Sequence, residues 1–145
     1  MFRKILVPVD GSPLSIAAVH KAAALAEKFQ GELTLLNVVV NPVQNGVFDP
    51  GLVVIPPEII TALEEEGVRI LETAAKEVPS GIAARTVQKF GHPAQTILEL
   101  AREEGYDLIV IGSRGLGEIR GYLLGSVSDR VTHHAPCTVM IVHQS

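Results

Sequence analysis

The sequence has a single cysteine and few aromatic residues, 4% of 145 positions. One cysteine closes no internal disulfide, so a reducing compartment is the expectation. Lys and Arg are nowhere bunched and the net charge is −4, a balance that argues against broad binding to nucleic acid or to an anionic membrane surface. No apolar run approaches the roughly 18–20 residues that a membrane-spanning helix needs. The opening MFRKILVPVDGS is not patterned as a secretory signal, because Pro8 and Asp10 interrupt its apolar stretch. A cytoplasmic protein is expected. No internal repeat, low-complexity tract or linker divides the chain, so a single domain over residues 1–145 is expected, large enough to bury a core without covalent staples.

What is present is aliphatic. Hydrophobic residues make up 47% of the chain, and with aromatics scarce that mass is Val, Ile, Leu and Ala, the mixture of buried parallel strands under Ala-rich helices. Residues 5–9 form a β-branched run ended by Asp10-Gly11, a short strand. Ser12-Pro13 is a helix start, a hydroxyl cap followed by a residue whose missing N–H costs nothing there. The Ala-rich helix runs to Phe29, with Gly31 as its stop. Residues 32–40 read as a strand covered on both faces. Residues 41–57 hold Pro42, Asn45-Gly46, Pro50-Gly51 and Pro56-Pro57; this long loop is expected to fold over the domain's own surface, with a lid or a dimer contact as the alternative. Pro57 opens an amphipathic helix to about residue 78, with Ile60, Leu63, Val68, Leu71 and Ala75 on its apolar face. Residues 83–90 alternate as an edge strand does. Gly91-His92-Pro93 starts a third helix that ends at Gly105, and residues 108–111 are the fourth strand. A glycine-rich stretch over 112–125, a short helix over 126–133 and a strand over 138–142 complete the chain. Such alternation specifies an α/β fold of parallel strands joined by right-handed crossovers.

Five of the 13 glycines fall within residues 112–125, after a strand and directly before a helix. Glycine there permits positive φ and close approach of backbone amides to an anion, and the following helix adds unpaired N–H groups and partial positive charge. Ser126 and Ser128 stand in its first turn, where hydroxyls can donate to phosphate oxygens. This is the chemistry of a phosphate cradle; a glycine-rich surface turn without ligand is the alternative. No lysine follows these glycines as a P-loop requires, and Gly115, Gly117 and Gly121 lack both the spacing and the first-strand position of a dinucleotide fingerprint.

The spacing Gly112-x2-Gly115-x9-Gly125-Ser126 resembles the nucleotide motif of the universal stress protein family. So do KILVPVDGS, LLNVV, GHPAQTILELAREEGYDLIVIGSRG and GSVSDRVTHHAPCTVMIV, which arrive in the family's order over the whole chain. The resemblance implies a Rossmann-like, adenine nucleotide alpha hydrolase-like fold: an open, parallel five-stranded sheet of order 3-2-1-4-5 with helices on both faces. It also implies membership of the ATP-binding branch, with ADP and AMP as alternative ligands. By that carry-over, Gly112, Gly115, Gly125, Ser126, Val127 and Ser128 hold phosphate and ribose. Pro8, Val9 and Asp10 line the adenosine side, and Val38 and Ile111 lie against adenine. Arg114 and Arg120 would offset phosphate charge or stand as ordinary solvated surface, and Mg²⁺ would be held mainly through phosphate oxygens and water. Asp10 can cap the turn and contact a ligand at once, with different oxygens. The family commonly dimerises through the last strand, Thr138–Val142 here.

Other residues have plainer readings. His133 and His134 point about 100° apart on a helix and are expected to cap its C-terminus rather than hold a metal. Cys137 is expected to be a small core residue rather than a nucleophile, and His92 a helix-start residue. Nothing in the sequence arranges a general base or arginine finger around a γ-phosphate, so no catalytic residue is assigned. The leading expectation is a nucleotide-responsive regulator acting on a partner protein that the sequence does not identify. A slow ATPase or nucleotide-dependent transferase, and a ligand-free interaction module, are the alternatives.

Overall fold

A computed structural model of the protein describes residues 1–40, 55–115 and 125–143. Its elements run β1 (Lys4–Pro8), α1 (Pro13–Phe29), β2 (Glu32–Val39), α2 (Pro57–Lys76), β3 (Ala84–Phe90), α3 (Pro93–Glu103), β4 (Leu108–Gly112), α4 (Ser126–His134) and β5 (Thr138–Val142). The strands form one sheet of order β3-β2-β1-β4-β5, every pair parallel. The expected α/β architecture and strand order are therefore the ones found. Residues 41–54 and 116–124 lie outside the described residues, and with them the expectations for most of the long loop and for Gly117, Arg120 and Gly121.

Side chains on successive strand residues leave the sheet on opposite faces, and both faces of the central strands are covered. Ile5, Val7, Leu33, Leu35, Leu108 and Val110 pack with α1 and α2. Leu6, Leu36, Ile109 and Ile111 pack with Ile97 of α3 and Val131 of α4 on the other side. This is why β1 and β4 read as continuous apolar runs rather than alternating ones. Full burial of residues such as Ile5, Leu6 and Ile109, all at 0% exposure, stabilises the fold by about 1.5–3 kcal/mol each.

Helix ends follow local chemistry. Ser12 caps α1, its Oγ accepting the Ser15 N–H at 3.2 Å, and Pro13 opens the helix. The stop differs from expectation. Gln30, not Gly31, takes the left-handed conformation, at φ 56°, and the N–H groups of both residues bond the Ala26 carbonyl. Gly31 is needed for space, since a Cβ there would overlap the Phe2 carbonyl oxygen. On α2 the buried stripe is Gly67, Leu71 and Ala74. Val68, expected to face the core, is 44% exposed because it sits about 100° round the helix from Gly67.

Candidate functional site

The sheet order reverses between β1 and β4, where connections leave in opposite directions and a crevice opens at the strands' carboxyl ends. A cleft of about 310 Å³ lies there. It brings together Pro8, Val9, Asp10, Val38, Ile111 and Gly112 with Arg114, Gly115, Gly125, Val127 and Ser128. Of the expected site residues that are described, Ser126 alone is not among those lining it; it is exposed on the first turn of α4.

At the end of β1, Gly11 takes φ 87°, a left-handed turn that glycine adopts without steric cost. Asp10 fastens this turn, its Oδ1 accepting the Ser12 N–H at 2.9 Å. Oδ2 reaches across the crevice to Gly115, where a Cβ would overlap it. A Cβ on Gly112 would likewise press on Leu14, 2.9 Å from that residue's Cβ. Positive φ is therefore not what these two glycines supply, since neither adopts it. They allow close approach: Gly112 lets the start of α1 settle on β4, and Gly115 lets Asp10 lie against the loop.

The start of α4 is held by a small knot. The Ser113 carbonyl accepts the Gly125 N–H at 2.5 Å and the Ser128 hydroxyl at 2.7 Å, while the Ser113 N–H bonds the Val142 carbonyl of β5 at 2.8 Å. The hydroxyl of Ser128, expected to face a phosphate, is spent inward on this knot, and the residue is 2% exposed; a buried hydroxyl left unpaired is costly. What α4 presents to the cleft is its N-terminus, whose first-turn amides have no partner within the helix and bear partial positive charge.

The cleft also has lining that the sequence reading did not assign. Leu36 and Val40 join Val38 on one side, Pro93 and Ile97 of α3 close another, and Ser12 and Ser15 at the start of α1 add hydroxyls. Leu36, Val38 and Val40 share a face by strand alternation, and α1 and α3 each begin at the carboxyl edge of the sheet. Those two signals were present in the sequence. The lining thus combines aliphatic side chains with Asp10, Arg114 and seryl hydroxyls, and the starts of α1, α3 and α4 border it.

The remaining candidates fall elsewhere. His133 Nδ1 lies 2.8 Å from the Asp129 carbonyl oxygen and 3.4 Å from its carboxylate. Asp129 stands in the first turn of α4, so this contact runs back along the helix and is not the expected cap on its last carbonyls. Among the described residues no group of three or more His, Cys, Asp or Glu is placed to hold a metal ion. Cys137 is half-buried just before β5, and burial, with a smaller contribution from Asp107, pushes its thiol up, away from nucleophilic use. Among the described residues no helix is long and apolar enough to cross a membrane.

Residues 1–143 match the model of the universal stress protein family. The chain belongs to that family. A universal stress protein of Bacillus subtilis, YxiE, is 40% identical over 98% of this chain and 99% of its own. Among solved structures, the hypothetical protein MJ0577 superposes with a TM-score of 0.84 at 28% identity, covering 100% of this chain and 98% of the other. A universal stress protein solved in complex with cAMP superposes with a TM-score of 0.65 at 28% identity over 99% and 98% of the two chains. This universal stress protein thus shares its fold, nearly end to end, with a relative that binds an adenine nucleotide.

Proposed function

We propose that this universal stress protein binds an adenine nucleotide, ATP foremost, in the cleft between β1 and β4, and acts as a single-domain regulator whose state follows nucleotide occupancy. The observation that carries this reading is the meeting of Asp10 with Gly112 and Gly115 at the order reversal, in a cleft lined both by aliphatic side chains and by residues at helix starts. The two kinds of lining suit the two ends of a nucleotide. Val38 and Ile111, with Leu36, form a wall for the flat adenine ring. Pro8, Val9 and Asp10 face the ribose, whose hydroxyls the Asp10 carboxylate can accept.

The phosphates belong near Gly115, Gly125 and Val127, at the N-terminus of α4, whose first-turn amides favour an anion, and Arg114 offsets part of their charge. Ser128 contributes by fixing that helix start rather than by contacting phosphate. Bound Mg²⁺ would be held through phosphate oxygens and water. The relative in complex with cAMP supports adenine as the base.

Two further parts of the reading concern its setting. β5 is an edge strand with a half-buried apolar run, and pairing with a second copy along Thr138–Val142 would satisfy its outer backbone groups. The lone cysteine fits a reducing cytoplasm, where a partner protein would read the nucleotide state. The test is to release bound nucleotide from protein purified without added ligand, identify it by mass, and titrate the stripped protein with ATP, ADP and AMP. Saturable binding of at least one at 1:1 is expected; no binding of any overturns the reading.

A further inference from the structure

Main-chain pairing of β1 with β2 stops at Pro8, one residue short of the strand end expected from the sequence. The Val9 N–H still bonds the Leu36 carbonyl at 2.8 Å. The Val9 carbonyl, however, accepts a hydrogen bond from a side chain, Nδ2 of Asn37, at 3.0 Å. Asn37 is 5% exposed and alternates with Leu33 and Leu35, so it lies on the α1/α2 face of the sheet. The aliphatic wall of the cleft, Leu36 and Val38, lies on the opposite face. Asn37 therefore holds the cleft's β1 wall from behind, out of reach of any ligand.

Behind Asn37 stands α2. Gly67 is buried in the middle of this 20-residue helix, where glycine is among the poorest helix formers and needs a reason to be present. The reason is contact: a Cβ on Gly67 would overlap both Asn37 Oδ1 and Gln88 Nε2. Gln88, on β3, is tied to α2 by its Nε2 donating to the Glu64 carbonyl at 2.9 Å. One turn further along α2, Ile70 lies beside Gly11, 3.4 Å from where a Cβ would stand. The helix thus backs the Val9–Asp10–Gly11 segment at two points.

We infer that Asn37 is a positioning residue for the nucleotide cleft, holding the Val9–Asp10 wall through the Val9 carbonyl, and that Gly67 of α2 sets where Asn37 sits. This inference rests on the proposed nucleotide site. It makes α2 a lever on that site: whatever shifts α2 against β2 shifts the wall carrying Asp10.

The experiment uses the full chain as Gly67→Ala, Asn37→Ala and the double variant, with two readouts. The first, in ligand-free protein, is hydrogen exchange at the Val9 amide, bonded to Leu36, and at the Ser12 amide, bonded to Asp10. The second is ATP affinity by titration. Loss of one hydrogen bond of ordinary strength predicts about three- to tenfold faster exchange and about three- to tenfold weaker binding in each single variant. Gly67→Ala adds no further loss in exchange at Val9 or in affinity in the Asn37→Ala background, because the side chain through which it acts on Val9 is gone and its remaining overlap, with Gln88 Nε2, falls on β3. A merely structural role for Gly67 predicts otherwise, since alanine is the better helix former and would leave affinity untouched. Wild-type exchange in both single variants, or additive losses in the double, overturns the inference. Wild-type protein that binds no adenine nucleotide overturns the proposed function instead, and the exchange readout alone then decides whether Asn37 holds the strand end.

Discussion

Adding one methyl group at Gly115 tests the geometry of the site directly. A Cβ there would overlap Asp10 Oδ2, so the half-buried carboxylate must rotate and surrender the Ser12 N–H that its Oδ1 accepts at 2.9 Å. A hydrogen bond to an ionised acceptor contributes about 1.5–3 kcal/mol, and partial exposure places this one near the lower figure. For a domain of this size each kcal/mol lowers Tm by about 2–4 °C, so Gly115→Ala should melt roughly 3–6 °C below wild type. Nucleotide affinity should fall by at least about tenfold, the equivalent of 1.4 kcal/mol, because the displaced carboxylate leaves the ribose position. Calorimetric titration with ATP and a thermal melt read both effects. The dependence on side-chain size is decisive. If displacement of Asp10 is the mechanism, Gly115→Ala already does most of the damage and Gly115→Val adds little. If a side chain at 115 acts only by filling the phosphate position, the loss grows with volume and alanine is mild. Wild-type Tm and affinity in Gly115→Ala would refute the argument outright.

Three other outcomes follow from the same contacts. Ser12→Ala removes the α1 cap, bonded at 3.2 Å, and should cost about 1 kcal/mol, read by chemical denaturation; no loss would mean the cap is dispensable. Tyr106→Phe deletes a hydroxyl that donates to Thr34 Oγ1 at 2.7 Å and accepts from Arg85 at 2.9 Å; about 1–3 kcal/mol of stability should go. ATP affinity should stay unchanged, because this cluster lies at the opposite edge of the sheet from the cleft. Cys137, its thiol pushed up by burial, has less thiolate than free cysteine at a given pH below its raised pKa. Its alkylation should therefore be slow at pH 8 and climb with a midpoint above that of a free thiol; reaction at the free-cysteine rate would contradict its burial.

Much of this molecule follows from one-dimensional pattern. Short aliphatic runs separated by helix-length segments specify parallel strands with crossovers, because such strands are buried on both faces and need a long return path. Ser12-Pro13 located a helix start, and Gly112, Gly115 and Gly125 marked residues that line the cleft, since caps and close approaches demand particular residues at particular places. Other details depended on contacts between distant segments. Gly31 resembles a helix stop in sequence, yet its role is set by the Phe2 carbonyl. Gly67 and Val68 are neighbours between Glu66 and Arg69, and only the lie of α2 on β2 and β3 makes the glycine the contact and leaves the valine exposed. Ser128 carries a hydroxyl in a phosphate-binding position by spacing, and the fold turns it onto Ser113.

The division has a physical cause. Hydrophobic periodicity, capping and turn chemistry act over a few residues, so residue order alone carries them, and with them the element types and the edge of the sheet on which a ligand site belongs. The close approaches of Asp10 to Gly115 and of Asn37 to Gly67 join residues far apart along the chain. Their distances are set by how helices settle on a twisted sheet, and no local pattern encodes that. Which atoms face the cleft, which are spent holding it, and which stand behind it were therefore decided by packing alone.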